Sequence, residues 1–241
     1  METMKHLLLA IALLFSANVF ASKVYVPVLM YHDINNNVND QYSISPAKFE
    51  EQMRWLKEAG YNVIPLTRIE KARPKDVVIT FDDGYYSFIE HAWPVMSKLR
   101  YPATINLVGE WIGGTIPDVT DKKALSWDDV NVLQKTKLVT FGSHTQALHH
   151  YPDGVMKSTE LQLLNDFLNF QRNFIQHTGK LSHVIAWPFG KYYTGAVVAA
   201  QDAKFKYVLT SDKGVYTGNN YFIPRLSIEQ DTDIGVLMNG L

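Results

Sequence analysis

Two adjacent carboxylates close an apolar run in Thr80-Phe81-Asp82-Asp83-Gly84. Their mutual repulsion needs an offsetting charge, and a bound cation supplies one. Neighbouring side chains at the end of a strand point apart, so one carboxylate can hold an ion while the other faces an attacking water as general base. The dipeptide alone fits an ordinary Asp-Gly turn at least as well. A second cluster, Ser143-His144-Thr145-Gln146-Ala147-Leu148-His149-His150, changes that balance. His144 and His149 lie five positions apart, about 140° around an ideal helix, so they share no helix face. If both bind one ion, the segment is a strand end running into a loop. Two imidazoles and one carboxylate leave coordination positions open for water and substrate, the ligand set of a catalytic zinc-type site. His150 is the alternative to His149, and the histidine spacing alone would also suit a pair of structural side chains.

Two further segments carry groups of the right kind. In Trp187-Pro188-Phe189-Gly190 the Pro and Gly set a tight turn, and a free backbone N–H there, such as that of Phe189, can stabilise an oxyanion. In Leu29-Met30-Tyr31-His32-Asp33, His32 is placed as a general acid with Asp33 to orient it. Each has a plainer reading, as a turn with a core aromatic and as a structural histidine.

The elements that must position these groups alternate along the chain. Strands are expected at Val24 to Tyr31, Tyr61 to Pro65, Val77 to Phe81, Ala103 to Val108, Leu138 to Phe141, His183 to Trp187, Tyr207 to Leu209 and Phe222 to Leu226. Between the first two, beyond a polar loop at Asn35 to Asp40, Ser45-Pro46 starts a helix with Phe49, Met53 and Leu56 on one face, stopped by Gly60. Further helices are expected at Tyr86 to Leu99 with a kink near Pro94, Trp127 to Leu133, Thr159 to Gln176 and Ala196 to Ala203. In the long helix, Leu161, Leu164, Leu168 and Ile175 mark one apolar face. No linker, repeat or low-complexity stretch interrupts the alternation, which indicates one α/β domain with a mainly parallel sheet. The polar candidates fall just after strands, the edge where barrels build their sites, and no glycine-rich phosphate loop follows the first strand; a barrel is therefore favoured over an open sheet.

Composition narrows the partners. With 23 Lys and Arg against 24 Asp and Glu, and pI near 6.7, there is no basic surface for nucleic acid or anionic lipid. The absence of cysteine removes disulfides and thiolate ligands. Any metal must use His and carboxylates. Lys5 and His6 ahead of the apolar run Leu7 to Phe15, then Val19-Phe20-Ala21, read as a signal peptide over residues 1–21 cleaved after Ala21. The expected mature chain, 22–241, is exported to the periplasm or the medium, has no further membrane span, and is a monomer.

Together the four segments resemble the polysaccharide deacetylases of the NodB-homology group, carbohydrate esterase family four, with Thr-Phe-Asp-Asp-Gly as the most specific sign. The resemblance covers nearly all of the mature chain, with a motif core from about residue 75 to 241. It implies a distorted (β/α) barrel with seven or fewer repeats, Asp82 as catalytic base, and Asp83, His144 and His149 as ligands of one divalent ion. Zinc is the first expectation; cobalt, nickel and iron suit the same ligands. Three departures from the family's commonest pattern stand out: histidines five rather than four apart, Ala186 where an Arg steadies the base, and Arg225-Leu226-Ser227 where a late His is usual. All three resemble the branch that deacetylates poly-β-1,6-N-acetylglucosamine in biofilm matrices, where the acid comes from an N-terminal Met-Tyr-His. His32 occupies that place here, and Arg225 is the candidate partner of a site carboxylate. The implied substrate is an N-acetylated polysaccharide, with Trp187 beside Pro188 as the first choice for stacking on sugar rings. The alternatives are a peptidoglycan or chitin deacetylase and a non-catalytic carbohydrate-binding relative.

Overall fold

The computed structural model of the protein describes residues 25–38, 40–117 and 122–241. The signal-peptide expectation over residues 1–21 lies outside the described residues. The chain runs through β1 (Val28–Tyr31), a short ribbon β2 (Asp33–Ile34) and β3 (Ser43–Ile44), α1 (Pro46–Glu58), β4 (Asn62–Val63), β5 (Asp76–Phe81), α2 (Trp93–Leu99) and β6 (Ala103–Leu107). It continues with α3 (Trp127–Lys135), β7 (Val139–Ser143), α4 (Gly154–Lys157), α5 (Glu160–Thr178), β8 (Val184–Ala186), α6 (Thr194–Asp202), β9 (Tyr207–Leu209), β10 (Leu226–Ser227) and α7 (Ile234–Asn239).

The strands form one parallel sheet in the order β10-β1-β5-β6-β7-β8-β9, with β4 added alongside β5. The sheet curls until its ends meet. Ile223, just ahead of β10, pairs with Leu209 of β9, while Leu226 of β10 pairs with Leu29 of β1. This is the expected distorted (β/α) barrel.

Alternation along the strands separates two apolar layers. Leu29, Ile79 and Ile185 point outward under the helices, whereas Val28, Val78, Val184 and Ala186 join Ile64, Leu66 and Tyr216 in a second cluster that fills the lower barrel. Followed upward, the inward column changes character: Val28 gives way to Met30 and His32, and Val78 to Thr80 and Asp82. The period of two that packs the barrel floor thus delivers polar groups at the C-terminal mouth.

Several local expectations are corrected. The kink ahead of Pro94 is a wide turn over Phe88–Ala92, in which the Trp93 N–H reaches the Phe88 carbonyl; Pro94 has no N–H to close an ordinary helical turn on Glu90. The strand expected at Phe222 to Leu226 is regular only over Leu226–Ser227. In α5 the buried face is Leu163, Phe167, Phe170 and Phe174, while Leu161, Leu168 and Ile175 face solvent, Leu161 with 67% of its surface exposed. Both stripes have helical spacing; three phenylalanines bury more apolar area than the leucine stripe, and the larger area faces the core.

Candidate metal centre and active site

β5 ends at Phe81, and the chain turns sharply: Asp83 and Gly84 both adopt left-handed backbone angles, φ 70° and 75°. Asp tolerates that region better than most residues, and at Gly84 a side chain would collide with Leu107. The turn separates the two carboxylates. Asp82 points into the barrel, and Asp83 faces the loop that follows β7.

Asp82 is buried and its oxygens are largely occupied. Arg225 meets it with two parallel bonds, Nη1 to Oδ1 at 2.8 Å and Nη2 to Oδ2 at 2.7 Å, and Asn106 Nδ2 donates to Oδ1 at 2.7 Å. Arg225 is itself fully buried and held by the Thr210 carbonyl and the Thr80 hydroxyl. Burial pushes the Asp82 carboxyl up, but the Arg225 charge, with His144 behind it, outweighs burial and holds the group well below the usual carboxylate range. With Oδ1 taking two donors, Oδ2 is the oxygen left able to accept a proton. It lies 4.0 Å from His144 Nε2.

Asp83 Oδ1 stands 3.5 Å from His144 Nε2 and 3.3 Å from His149 Nε2, and the three potential ligand atoms all lie within 4.8 Å of one another. Asp83 Oδ1 is buried and receives no well-directed hydrogen bond. On the other side of the His144 ring, Nδ1 lies 2.9 Å from the Ala186 carbonyl. Donation to that carbonyl leaves the Nε2 lone pair facing Asp83, the arrangement seen around metal-ligating histidines. Burial raises the Asp83 carboxyl, and the imidazoles of His149 and His144 outweigh it to leave a net lowering. An orphaned oxygen and two converging imidazole nitrogens fit a divalent cation of the zinc type. His150 is not part of this cluster: its Nε2 pairs with Glu110 at 2.6 Å.

Burial also holds the His144 imidazole down, to about 4 from the ordinary 6.5, against the pull of Asp82. In the metal-free protein the unfolded chain therefore binds more protons than the folded one between those two values. The associated stability is present above pH 6.5 and lost as pH falls towards 4. At ~1.4 kcal/mol per pH unit the loss is roughly 3 kcal/mol. The buried Asp166 carboxyl, raised to about 6, shifts stability the opposite way over the same range. The difference in urea midpoint between wild type and His144→Gln, followed from neutral pH to pH 4, therefore measures the loss, and a difference that does not change contradicts it.

His32 follows β1, is partly buried, and packs 5.0 Å from the Tyr42 ring. It faces the same cavity of about 510 Å³ as Asp82, Asp83, His144, His149 and Phe189. Asp33 does not orient it. The Asp33 carboxylate is taken by the Ser87 hydroxyl at 2.5 Å, Ser43 at 3.1 Å and Lys122 Nζ at 2.8 Å, because successive residues of β2 point to opposite sides. Phe189 has φ 56°, and the turn's bonds run from Gly190 N–H to the Trp187 carbonyl and from Lys191 N–H to the Pro188 carbonyl. The Phe189 N–H is thereby left outside the turn's own bonding.

The expectation that Trp187 stacks on sugar at the rim is overturned. Trp187 is completely buried, stacked on Tyr192 and tilted against Phe167. The aromatic surface open to a ligand is instead Phe189, 43% exposed and packed 4.6 Å from His149, with Tyr42 across the cavity.

Sequence reasoning missed Asn106. Its signal was available: Thr104 and Asn106 share one side of an otherwise apolar strand, which in a barrel means the inside. Gly142 on the adjacent strand has no side chain where the Asn106 carboxamide lies. Asp166 on α5 was also missed. It accepts the N–H groups of Gln146 and Ala147, between the two histidines, and burial pushes its carboxyl up to about 6.

Known proteins share this chain's sequence pattern and fold. The sequence profile of the family described as polysaccharide deacetylase matches residues 69–208, more than half of the chain. The poly-beta-1,6-N-acetyl-D-glucosamine N-deacetylase of Staphylococcus aureus is 26% identical over 202 residues, covering 79% of this chain and 69% of its own. IcaB from Ammonifex degensii has the same fold, with TM-score 0.79 and 23% identity over 86% of this chain and 93% of that one. A de-N-acetylase from Aggregatibacter actinomycetemcomitans gives TM-score 0.79 and 25% identity over 90% and 100% of the two chains.

Proposed function

The chain belongs to the polysaccharide deacetylase family, and from that premise we propose that it removes N-acetyl groups from a β-linked N-acetylglucosamine polysaccharide, poly-β-1,6-N-acetylglucosamine first among them. The observation that carries the reading is the pairing of two unlike carboxylates: Asp83 with an orphaned oxygen between two imidazole nitrogens, and Asp82 clamped by Arg225 beside it. The name of the Staphylococcus aureus relative, a poly-beta-1,6-N-acetyl-D-glucosamine N-deacetylase, supports the choice of linkage.

Asp83, His144 and His149 hold one divalent ion, zinc in the first instance. Such an ion supplies Lewis-acid polarisation of the amide and acidifies water, which a base as weak as Asp82 requires. Asp82 Oδ2 accepts the proton of the attacking water, while Arg225 and Asn106 keep the carboxylate from rotating. The Phe189 N–H faces the oxyanion that develops on the acetyl carbonyl. His32, on the other wall, donates a proton to the leaving nitrogen, and acetate and a free amine result. Phe189 and Tyr42 offer faces for sugar rings, which places substrate recognition at the mouth of the barrel.

All these groups come from one chain, so a monomer suffices. Residues 22–241 form the catalytic domain in this reading, and residues 1–21 direct export to the periplasm or the medium. No helix among the described residues is long and apolar enough to cross a membrane.

The test combines elemental analysis with acetate detection on poly-β-1,6-N-acetylglucosamine, chitin oligomers and peptidoglycan side by side. One divalent ion per chain and release from the β-1,6 polymer are expected; release only from another polymer reassigns the substrate, and none from any polymer leaves a carbohydrate-binding relative. Asp83→Asn loses both metal and acetate release, because a carboxamide brings no negative charge to the ion. Full metal content in that variant contradicts the ligand assignment.

A further inference from the structure

Asp166 is a buried carboxylate for which the proposed chemistry has no use. It sits on the inward face of α5 among Leu163, Phe167 and Phe170, where an apolar side chain would be the cheaper filling. Among the described residues no Lys, Arg or His forms an ion pair with it. Its two oxygens are spent on the backbone: Oδ1 accepts the Gln146 N–H at 2.8 Å and Oδ2 the Ala147 N–H at 2.9 Å.

Those two amides belong to the loop that separates His144 from His149. Thr145 has φ 71°, a left-handed angle that a β-branched residue seldom adopts. The conformation persists because its neighbours hold it. The Thr145 hydroxyl accepts the Leu148 N–H at 3.1 Å, the Thr145 and Gln146 carbonyls accept the Gly109 and Glu110 N–H groups, and Asn173, two turns along α5, donates to the Gln146 side chain at 3.2 Å. The two N–H groups at the loop's centre have Asp166 as their acceptor. Without it they would lose their acceptor, and the loop, half-buried at Gln146 and exposed at Ala147, would be free to rearrange towards water.

We propose that Asp166 is a positioning residue that shapes the loop between His144 and His149 before any ion arrives, so that both imidazoles already stand at a spacing one divalent ion can span. It acts on metal affinity and not on the chemical step, and the proposal rests on the metal-centred reading above.

The experiment titrates metal-free protein with zinc against a chelating dye, for the wild type, Asp166→Asn and Asp166→Leu. Zinc affinity falls about 10–100-fold in Asp166→Leu and by less in Asp166→Asn, which keeps one acceptor oxygen. At saturating zinc both variants return to near wild-type acetate release. Hydrogen exchange on the metal-free wild type supplies a measurement independent of any substitution: the Gln146 and Ala147 amides exchange slowly. Unchanged zinc affinity in both variants, turnover that excess zinc does not restore, or rapid exchange at those two amides overturns the proposal. Should Asp166→Leu fail to fold, Asp166→Asn and the exchange rates decide. A wild type that binds no zinc sinks the metal centre itself, whereas a wild type and variants that bind it equally sink only the role of Asp166.

Discussion

Asp82→Asn lowers acetate release on the order of 10²–10⁴-fold, the contribution expected of a positioned general base, while the purified variant keeps its metal. Asn matches the shape of Asp and still offers one oxygen to Arg225, but it leaves the buried guanidinium without its countercharge, so the variant is less stable than the wild type and is assayed well below its unfolding midpoint. The amide cannot take a proton. Oδ2 is the atom at stake, since Oδ1 already receives both Arg225 Nη1 and Asn106 Nδ2. Elemental analysis and acetate detection on the same preparation separate this from loss of the ion, and a fully active Asp82→Asn protein ends the assignment of Asp82 as base.

Arg225→Met has the largest effect on stability. Breaking a buried ion pair from one side leaves an uncompensated charge and costs ~3–5 kcal/mol, whereas replacing both partners with apolar residues of similar volume is often neutral or stabilising. Arg225 and Asp82 are both almost wholly buried and meet through two bonds. Urea unfolding of Arg225→Met, Asp82→Leu and the double variant forms a cycle in which the double variant is more stable than Arg225→Met alone. Equal additive losses would mean that the two side chains do not act as a pair. All three proteins are expected to be inactive, so this experiment separates what the pair does for the fold from what it does for chemistry. The clamp is costly in stability terms and lowers the basicity of Asp82; its benefit is a carboxylate that presents one defined oxygen.

Much of the architecture was legible because strand and helix periods carry it. The alternation of apolar strands with amphipathic helices indicated a parallel α/β barrel, and the polar residues after Phe81 and Phe141 marked the functional edge. Where the chain offered two solutions of equal period, as on α5, the pattern could not choose between them, because the choice depends on which stripe fills the space beside the sheet. Asp33 and Trp187 were misjudged for a related reason. Residue type suggested a hydrogen-bond partner for His32 and a sugar platform, yet strand alternation turns Asp33 towards Ser43, Ser87 and Lys122, and Tyr192 and Phe167 enclose Trp187.

What the amino-acid sequence determined by itself is the inventory: two adjacent carboxylates at a strand end, two histidines too far apart for one helix face, no thiol, and a barrel-like order of elements. The tertiary structure decided the pairings. Arg225 reaches Asp82 across 143 positions and Asn106 across 24, and closure of the sheet between β9 and β10 is what brings Arg225 to the mouth. A local pattern records what a residue can do; which partner it meets depends on barrel closure and on loops whose shape is set by contacts from elsewhere in the chain.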